Sequence, residues 1–219
     1  MRRRRLLITA CMSVTIAACS IGRPIPPTET YVVDLPGEIA GSSGHRIPET
    51  LRMGNVRVAA PFAGRALVYR FSDVRYASDP YQEFASDPGE MLASQIAESL
   101  DHAGPFRAVA QPGSARPARY VLEVNVAELY GDFRAGRPPT AVLALQFALV
   151  DQAGARPRLV YERSISRTVD LPKELPEALV RGYGTALSQM LTQVVSDFEA
   201  QFAGRGDDAV APGGGLEND

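Results

Sequence analysis

Two segments of the chain carry apolar residues at the three- and four-residue spacing of an amphipathic helix. The first segment follows Asp87, which is a favourable N-cap, and Glu90 comes three residues after it, which gives a capping-box arrangement. The segment ends before Gly104. The second segment is 175–202. We expect two helices, each covering a sheet with one face. Their apolar stripes are Met91, Leu92, Ile96, Leu100 and Ala103, and Leu179, Tyr183, Leu187, Met190, Leu191, Val194, Phe198 and Phe202.

Alternating polar and apolar residues predict short strands on either side of the first helix. We expect segments 55–60 and 66–72 to pair with each other across the turn between them. Segment 76–88 is expected to be an aromatic-rich crossover that leads into the helix. Two further short strands are predicted at 30–35 and 106–110.

Three longer strands are predicted between the two helices, at 120–130, 141–150 and 159–169. The links between them are short and contain Gly and Pro, which favours an antiparallel meander. The middle strand is the most uniformly apolar and is expected to be covered on both faces. The predicted fold class is therefore α+β, a mostly antiparallel sheet with two main helices packed on it as an α/β sandwich.

The N-terminus has the pattern of an export signal that ends at a cysteine. Four arginines precede an apolar run of about a dozen residues, and the run closes on Ile16, Ala17, Ala18 and Cys19. This tetrapeptide resembles the lipobox of bacterial lipoproteins. The resemblance implies cleavage after Ala18 and attachment of S-diacylglycerol and an N-acyl chain to Cys19.

Two other interpretations of this N-terminus fit the sequence less well. A transmembrane anchor needs about 20 apolar residues, and this run is shorter and is followed at once by Gly22 and Arg23. An ordinary secretory signal would leave Cys19 as a free thiol, because the only other cysteine, Cys11, lies in the part to be removed. Lipidation gives the single mature cysteine a role, since acyl chains hold a protein on a bilayer.

These patterns divide the chain into four parts. We expect a signal peptide at 1–18, a lipidated N-terminus with a proline-rich spacer at 19–29, and one α/β domain at 30–203. The remaining residues, 204–219, are expected to be a disordered tail because they cannot bury enough apolar surface. Ser20, not Asp, follows the cysteine, and by resemblance to sorting in enteric bacteria this favours an outer-membrane anchor facing the periplasm.

Charge and composition exclude several classes of function. Loss of four N-terminal arginines reduces Lys+Arg from 23 to 19 against 25 Asp+Glu, so the mature chain is acidic and is not expected to bind nucleic acid. The chain has two histidines, His45 and His102, and no HExxH, GxSxG, P-loop or dinucleotide-binding motif. We predict no catalytic residues, no metal site and no cofactor, and therefore no enzyme.

A longer resemblance extends over about residues 30 to 200. A strand that ends in Tyr69 and Arg70 is followed by an aromatic-rich segment, a helix that starts near Pro88, and a strand reading G-x-F-x-x-V. This order resembles the ABC-type transport auxiliary lipoproteins, the family that includes the PqiC/YmbA lipoproteins. Family members often carry a tryptophan in the crossover, where this chain has Phe84. The other matching positions are Tyr76, Tyr81, Leu92, Leu100, Gly104, Phe106 and Val109.

The resemblance implies a non-catalytic, periplasm-facing lipoprotein that supports the integrity of the envelope. Its implied partners are an MCE-domain protein and a MlaE-type ABC permease, which together move lipid between the inner and outer membranes. It also implies an α/β sandwich similar to the N-terminal domain of TolB. A homo-oligomer stays open as a further possibility.

Tyr76, Tyr81 and Phe84 are the candidate partner contacts in this sequence. Aromatic side chains are enriched where protein interfaces are anchored. The alternative is that the same rings pack beneath a helix. Substitution by Ala distinguishes the two alternatives. Loss of partner binding at an unchanged melting temperature indicates a contact residue, and a lower melting temperature indicates a packing residue.

Two other functions remain alternatives at this point. A lipid-binding carrier would need an acyl pocket, for which Ala141, Ala144, Ala148 and Ala186 could leave space if they faced inward. A structural envelope lipoprotein is the other alternative, although the chain lacks peptidoglycan-binding motifs. Lipid recovered with the protein would favour the carrier.

Overall fold

The computed structural model describes residues 26–37, 39, 41 and 46–203. This part of the chain forms one mixed sheet of eight strands with two α-helices, so the predicted α+β class is confirmed. Helices α1 (Pro88–Ala103) and α2 (Pro176–Ala203) match the two predicted helices. The strands are β1 (Glu29–Tyr31), β2 (Ile47–Val58), β3 (Ala66–Arg70), β4 (Tyr76–Phe84), β5 (Phe106–Ala110), β6 (Tyr120–Asp132), β7 (Thr140–Asp151) and β8 (Arg158–Asp170).

Strand β6 is the strand around which the sheet is built. One of its edges pairs antiparallel with β7, and β7 pairs antiparallel with β8, which confirms the predicted meander. Its other edge pairs in parallel with β2 and, further along, with β3. Beyond β2 lies β5, beyond β3 lies β4, and β1 pairs with β4.

Three expectations about the first half of the chain are wrong. Segments 55–60 and 66–72 do not pair with each other, because β2 and β3 follow one another along the same edge of β6 and are joined by the 3₁₀ turn Ala60–Phe62. Segment 76–88 is not a plain crossover, since most of it is β4, hydrogen-bonded to β3. Strand β1 is shorter than predicted.

Local sequence chemistry sets the boundaries of α1. The Asp87 carboxylate accepts hydrogen bonds from the backbone N–H groups of Gly89 (2.8 Å) and Glu90 (3.2 Å), as expected of an N-cap. At the other end, the Gly104 N–H donates to the carbonyl oxygen of Leu100. Every residue of the predicted α1 stripe is buried.

Both helices cover the same face of the sheet. Helix α1 packs on β2 and β5, α2 packs on β7 and β8, and the helices contact each other. The predicted stripe of α2 is buried along its whole length. Burial of each large apolar side chain contributes about 1.5–3 kcal/mol, so this single core is the main source of stability. Among the described residues, neither helix has the length and apolar character of a membrane-spanning segment.

The opposite face of the β6–β8 meander is open. Gln146 in the middle strand β7 is exposed, so the expectation that this strand is covered on both faces is wrong. Odd-numbered positions of β7 point into the core, and even-numbered positions point away from it. We call this surface the open face; its exposed residues include Glu123, Gln146, Ser164 and Ser166.

Candidate docking surface

The three aromatic residues singled out in the sequence do not share one surface. Phe84 is 2% exposed and lies beside Tyr183 of α2, with ring centroids 6.3 Å apart. Tyr76 and Tyr81 are 40% and 37% exposed. Phe84 therefore belongs to the core beneath α2, and only the two tyrosines are available to another molecule.

Tyr76 is part of a compact cluster of rings around one guanidinium group. Its ring meets Tyr130 edge to face with centroids 5.4 Å apart, and Tyr130 stacks on Phe62 at 5.7 Å. The guanidinium carbon of Arg70 lies 5.5 Å from the Tyr76 ring centroid and 5.9 Å from that of Tyr130. We call these four residues, Phe62, Arg70, Tyr76 and Tyr130, the Arg70 cluster.

The topology explains why these residues meet. Arg70 lies opposite Tyr76 in the β3–β4 pairing and opposite Asp132 in the β3–β6 pairing, so all three side chains point to the same side of the sheet. Tyr130 is two residues before Asp132 on β6 and shares this orientation. The cluster therefore lies on the open face, and the 3₁₀ turn supplies its fourth member, Phe62.

An ion-pair network borders the Arg70 cluster. Arg134 donates from Nε and Nη2 to the two carboxylate oxygens of Asp132, at 2.9 and 2.6 Å, and from Nη1 to Asp73 at 2.6 Å. The hydrogen bond from Arg134 holds the pKa of the Asp132 carboxyl below its usual value. Asp132 stays ionised, and the network ties the β3–β4 turn to the β6–β7 turn.

Burial also changes the acidity of the ring at the centre of the cluster. It raises the pKa of Tyr130, and the hydrogen bond that its hydroxyl accepts from Arg70 opposes that rise. The phenol is therefore neutral at physiological pH. The cluster presents neutral rings around one guanidinium group, which also forms an ion pair with Asp73 at 3.5 Å, and this arrangement is suited to recognition by contact.

A shallow groove of about 440 Å³ continues from the cluster along the open face. Asn125 and Gln146 form a side-chain hydrogen bond of 3.1 Å elsewhere on this face. The groove is mixed in polarity, with small and hydroxylated residues beside charged ones. It is lined by Glu128, Tyr130, Asp132, Arg134, Arg137, Pro138, Thr140, Val142, Ser166, Thr168 and Asp170.

The four alanines considered for an acyl pocket do not line one cavity. Ala141 and Ala186 are fully buried on the helix-covered side. Ala144 and Ala148 occupy even-numbered positions of β7 and therefore face the opposite way. The carrier alternative depends on these four alanines facing one shared cavity, and in the described structure they face opposite sides of the sheet.

The described ranges contain no group of three His, Cys, Asp or Glu side chains that could hold a metal ion. His102 is at the end of α1, where its Nδ1 lies 2.8 Å from the carbonyl oxygen of Glu98. Cys19 and His45 lie outside the described residues. The chemistry that the described surface offers is contact through rings, guanidinium and carboxylate groups, and hydroxyl groups.

The sequence of residues 33–195 matches the model of a family described as the ABC-type transport auxiliary lipoprotein component. No curated protein sequence matches the chain significantly. Among solved structures, a protein from Xanthomonas campestris has a TM-score of 0.69 at 17% identity, covering 83% of this chain and 100% of its own. An uncharacterised protein has a TM-score of 0.58 at 19% identity, covering 81% and 99%. At these identities the structural likeness shows the fold.

Proposed function

This chain belongs to the ABC-type transport auxiliary lipoprotein family, and from that premise we propose that it is a non-catalytic component of an MCE/ABC-type lipid transport system. Its partners are an MCE-domain protein and a MlaE-type ABC permease, and the system moves lipid between the inner and outer membranes. In this proposal the chain is anchored by acylated Cys19 in the outer membrane, faces the periplasm and supports envelope integrity.

The family match over the folded domain is the observation that carries this proposal, since it spans β-strands and helices from 33 to 195. An auxiliary component acts by binding, and the open face provides a surface for it. Tyr and Arg are the side chains that most often dominate binding energy at interfaces. Tyr76 and Arg70 combine both types in one partly exposed cluster.

The docking role assigns the Arg70 cluster and Tyr81 to the partner contact. Arg70 is held in place by its contacts with two rings and by a hydrogen bond from its Nε to the Ser72 carbonyl oxygen at 3.1 Å. A side chain that is already ordered loses little conformational entropy on binding. The partner surface that fits it is one with carboxylate or carbonyl groups that a guanidinium can reach.

The experiment that tests the proposal is an affinity purification from intact envelopes. The full-length protein carries a tag after Asp219, is crosslinked mildly, and is recovered with the proteins attached to it. We expect an MCE-domain protein or its permease among them, and less of it with Tyr81→Ala than with the wild type. Glu98→Ala, an exposed position on α1 and therefore on the helix-covered side of the sheet, is the matched control.

Recovery of bulk lipoproteins alone, equal for wild type and variants, would contradict the proposed partner. Lipid bound stoichiometrically to the purified protein would favour the carrier alternative. The positions of the four alanines give no support to that alternative. A purely structural lipoprotein would be favoured if neither the transport proteins nor lipid were recovered.

A further inference from the structure

Three chain connections meet at one end of the sheet. They are the β3–β4 turn (71–75), the β6–β7 turn (133–139) and the β8–α2 link (171–175). Arg134 joins the first two through its 2.6 Å contact with Asp73. The Leu171 N–H donates to the carbonyl oxygen of Pro139 at 2.8 Å and joins the second to the third. We call this end of the molecule the turn end.

The β3–β4 turn presents an apolar side chain at its tip. Val74 is 91% exposed. The turn that carries it is ordered, because the Phe71 N–H donates to the Arg75 carbonyl oxygen at 2.9 Å and the Ser72 hydroxyl accepts from the Arg75 N–H at 3.0 Å. The Arg75 guanidinium lies over the Phe71 ring at 4.9 Å. The exposed valine is therefore carried by an ordered turn that also contains an aromatic ring and a guanidinium group.

A second exposed apolar residue lies in the β8–α2 link at the same end. Leu175 is 49% exposed, and it directly precedes α2. Arg137 and Lys173 lie in the two connections beside it. Apolar tips bordered by aromatic rings and by Arg or Lys side chains are typical of surfaces that rest in the interfacial region of a bilayer.

The direction of β1 shows which end of that strand the N-terminal segment enters. Strand β1 is parallel to β4, and Glu29 pairs with Gln82. Strand β4 begins at Tyr76, at the turn end, so Glu29 is the end of β1 that lies nearer to the turn end. Cys19 is ten residues before Glu29. Ten residues span at most about 33–36 Å. The sequence between Cys19 and Glu29 contains Pro24, Pro26 and Pro27, a composition that favours extended chain.

We propose that the turn end rests on the lipid surface that holds Cys19, with Val74 inserted at the boundary between head groups and acyl chains. This inference rests on the lipid anchor in the proposed function. The anchor brings the turn end to the bilayer, and Arg75 and Lys173 contact the phosphate groups. The Arg70 cluster lies on the open face where it borders the turn end, so a protein partner reaches the cluster from the side of the sheet while the tip of the β3–β4 turn is in the bilayer.

The test measures how deeply individual positions lie in the membrane. Full-length acylated protein carrying Val74→Cys is labelled with a polarity-sensitive fluorophore and reconstituted into vesicles of phosphatidylethanolamine and phosphatidylglycerol that contain a spin-labelled lipid. The matched control is Ala155→Cys, an exposed position in the β7–β8 turn at the opposite end of the sheet. Acylation occupies the Cys19 thiol, so each variant has one reactive cysteine.

We expect several-fold stronger quenching by the spin-labelled lipid at position 74 than at position 155, with a blue-shifted emission. Leu175→Cys provides a second reporter at the turn end, in case the label disturbs the β3–β4 turn. Vesicle-bound protein with position 155 quenched and positions 74 and 175 unquenched would overturn this orientation and leave the anchor standing. Acylated protein that fails to float with vesicles would overturn the anchor and this inference together.

Discussion

Gly184 of α2 lies directly against the backbone carbonyl oxygen of Asp34. A Cβ atom at position 184 would overlap that oxygen and would also approach Cδ of Pro36 at 3.5 Å. One residue earlier, the Val33 N–H points at the sulfur of Met91 at 3.4 Å. The segment that follows β1 therefore contacts both helices, and these contacts fix the path of residues 33–36.

Gly184→Ala is expected to destabilise the protein, although Ala is normally the better helix former by about 1 kcal/mol. The added methyl group meets backbone atoms, which cannot move aside as a side chain can, and overpacking of this kind costs about 1–3 kcal/mol. Thermal unfolding should show a lower melting temperature, with faster hydrogen exchange at the Val33 amide. Gly64→Ala is the control, because a Cβ there has no atom within 4 Å. A variant as stable as the wild type would show that the segment does not pack on α2.

Phe84→Ala should lower stability through the core and not through a partner. The ring is 2% exposed, and removal of a buried Phe costs about 3–5 kcal/mol, which corresponds to a melting temperature lower by roughly 10 °C. Tyr81→Ala, at an exposed position of the same strand, should change the melting temperature by much less. Equal losses for the two variants would mean that Tyr81 is also a packing residue.

The Asp132–Arg134 ion pair should make stability depend on pH on the acid side. The pKa of Asp132 in the folded protein is below its ordinary value of 3.8, so the pair contributes stability above that value, and the contribution is lost as the pH falls through the folded pKa. Asp132→Asn should therefore unfold at a lower temperature than the wild type at about pH 6, with a difference that shrinks towards about pH 2. Exposed Glu174→Gln serves as the control, and a difference independent of pH would contradict the assignment.

The helices and the meander could be predicted from the sequence because their signals are local. Asp87 marks the start of α1 by capping, and the spacing from Leu179 to Phe202 marks the buried face of α2. Adjacent long strands with short links pair in chain order, as β6, β7 and β8 do. Each of these features depends on residues that are close together in the chain.

The strand pairings of the first half could not be predicted because their partners are distant in sequence. Strand β2 pairs with β6, whose register joins Leu51 to Tyr120. Adjacent strands β2 and β3 suggested a hairpin, yet both use the same edge of β6. The pairing of β4 shifts register near Asp79, whose carboxylate accepts hydrogen bonds from the Tyr81 and Gln82 N–H groups. This shift interrupts the alternation of residues by which a strand is predicted from sequence.

The candidate surface was predictable only in part, for the same reason. Tyr76 and Arg70 stand in the sequence pattern that indicated the family, but Tyr130 and Phe62 join them through β6 and the 3₁₀ turn. Aromatic character alone does not separate Phe84 from Tyr81, and only the position of Phe84 beside Tyr183 shows that it is buried. A tyrosine and a phenylalanine in one strand can thus have different roles.

Cys19→Ala should release the protein from the membrane without changing its fold. Two or three acyl chains hold a protein on a bilayer because each buried methylene contributes about 0.8 kcal/mol, and the variant has no thiol to acylate after the signal. We expect wild-type protein in the membrane fraction, in the outer membrane after density separation, and the variant in the soluble fraction or uncleaved. Ser20→Ala keeps the cysteine and should behave as the wild type. Outer-membrane recovery of the Cys19→Ala variant would show that another segment makes the attachment.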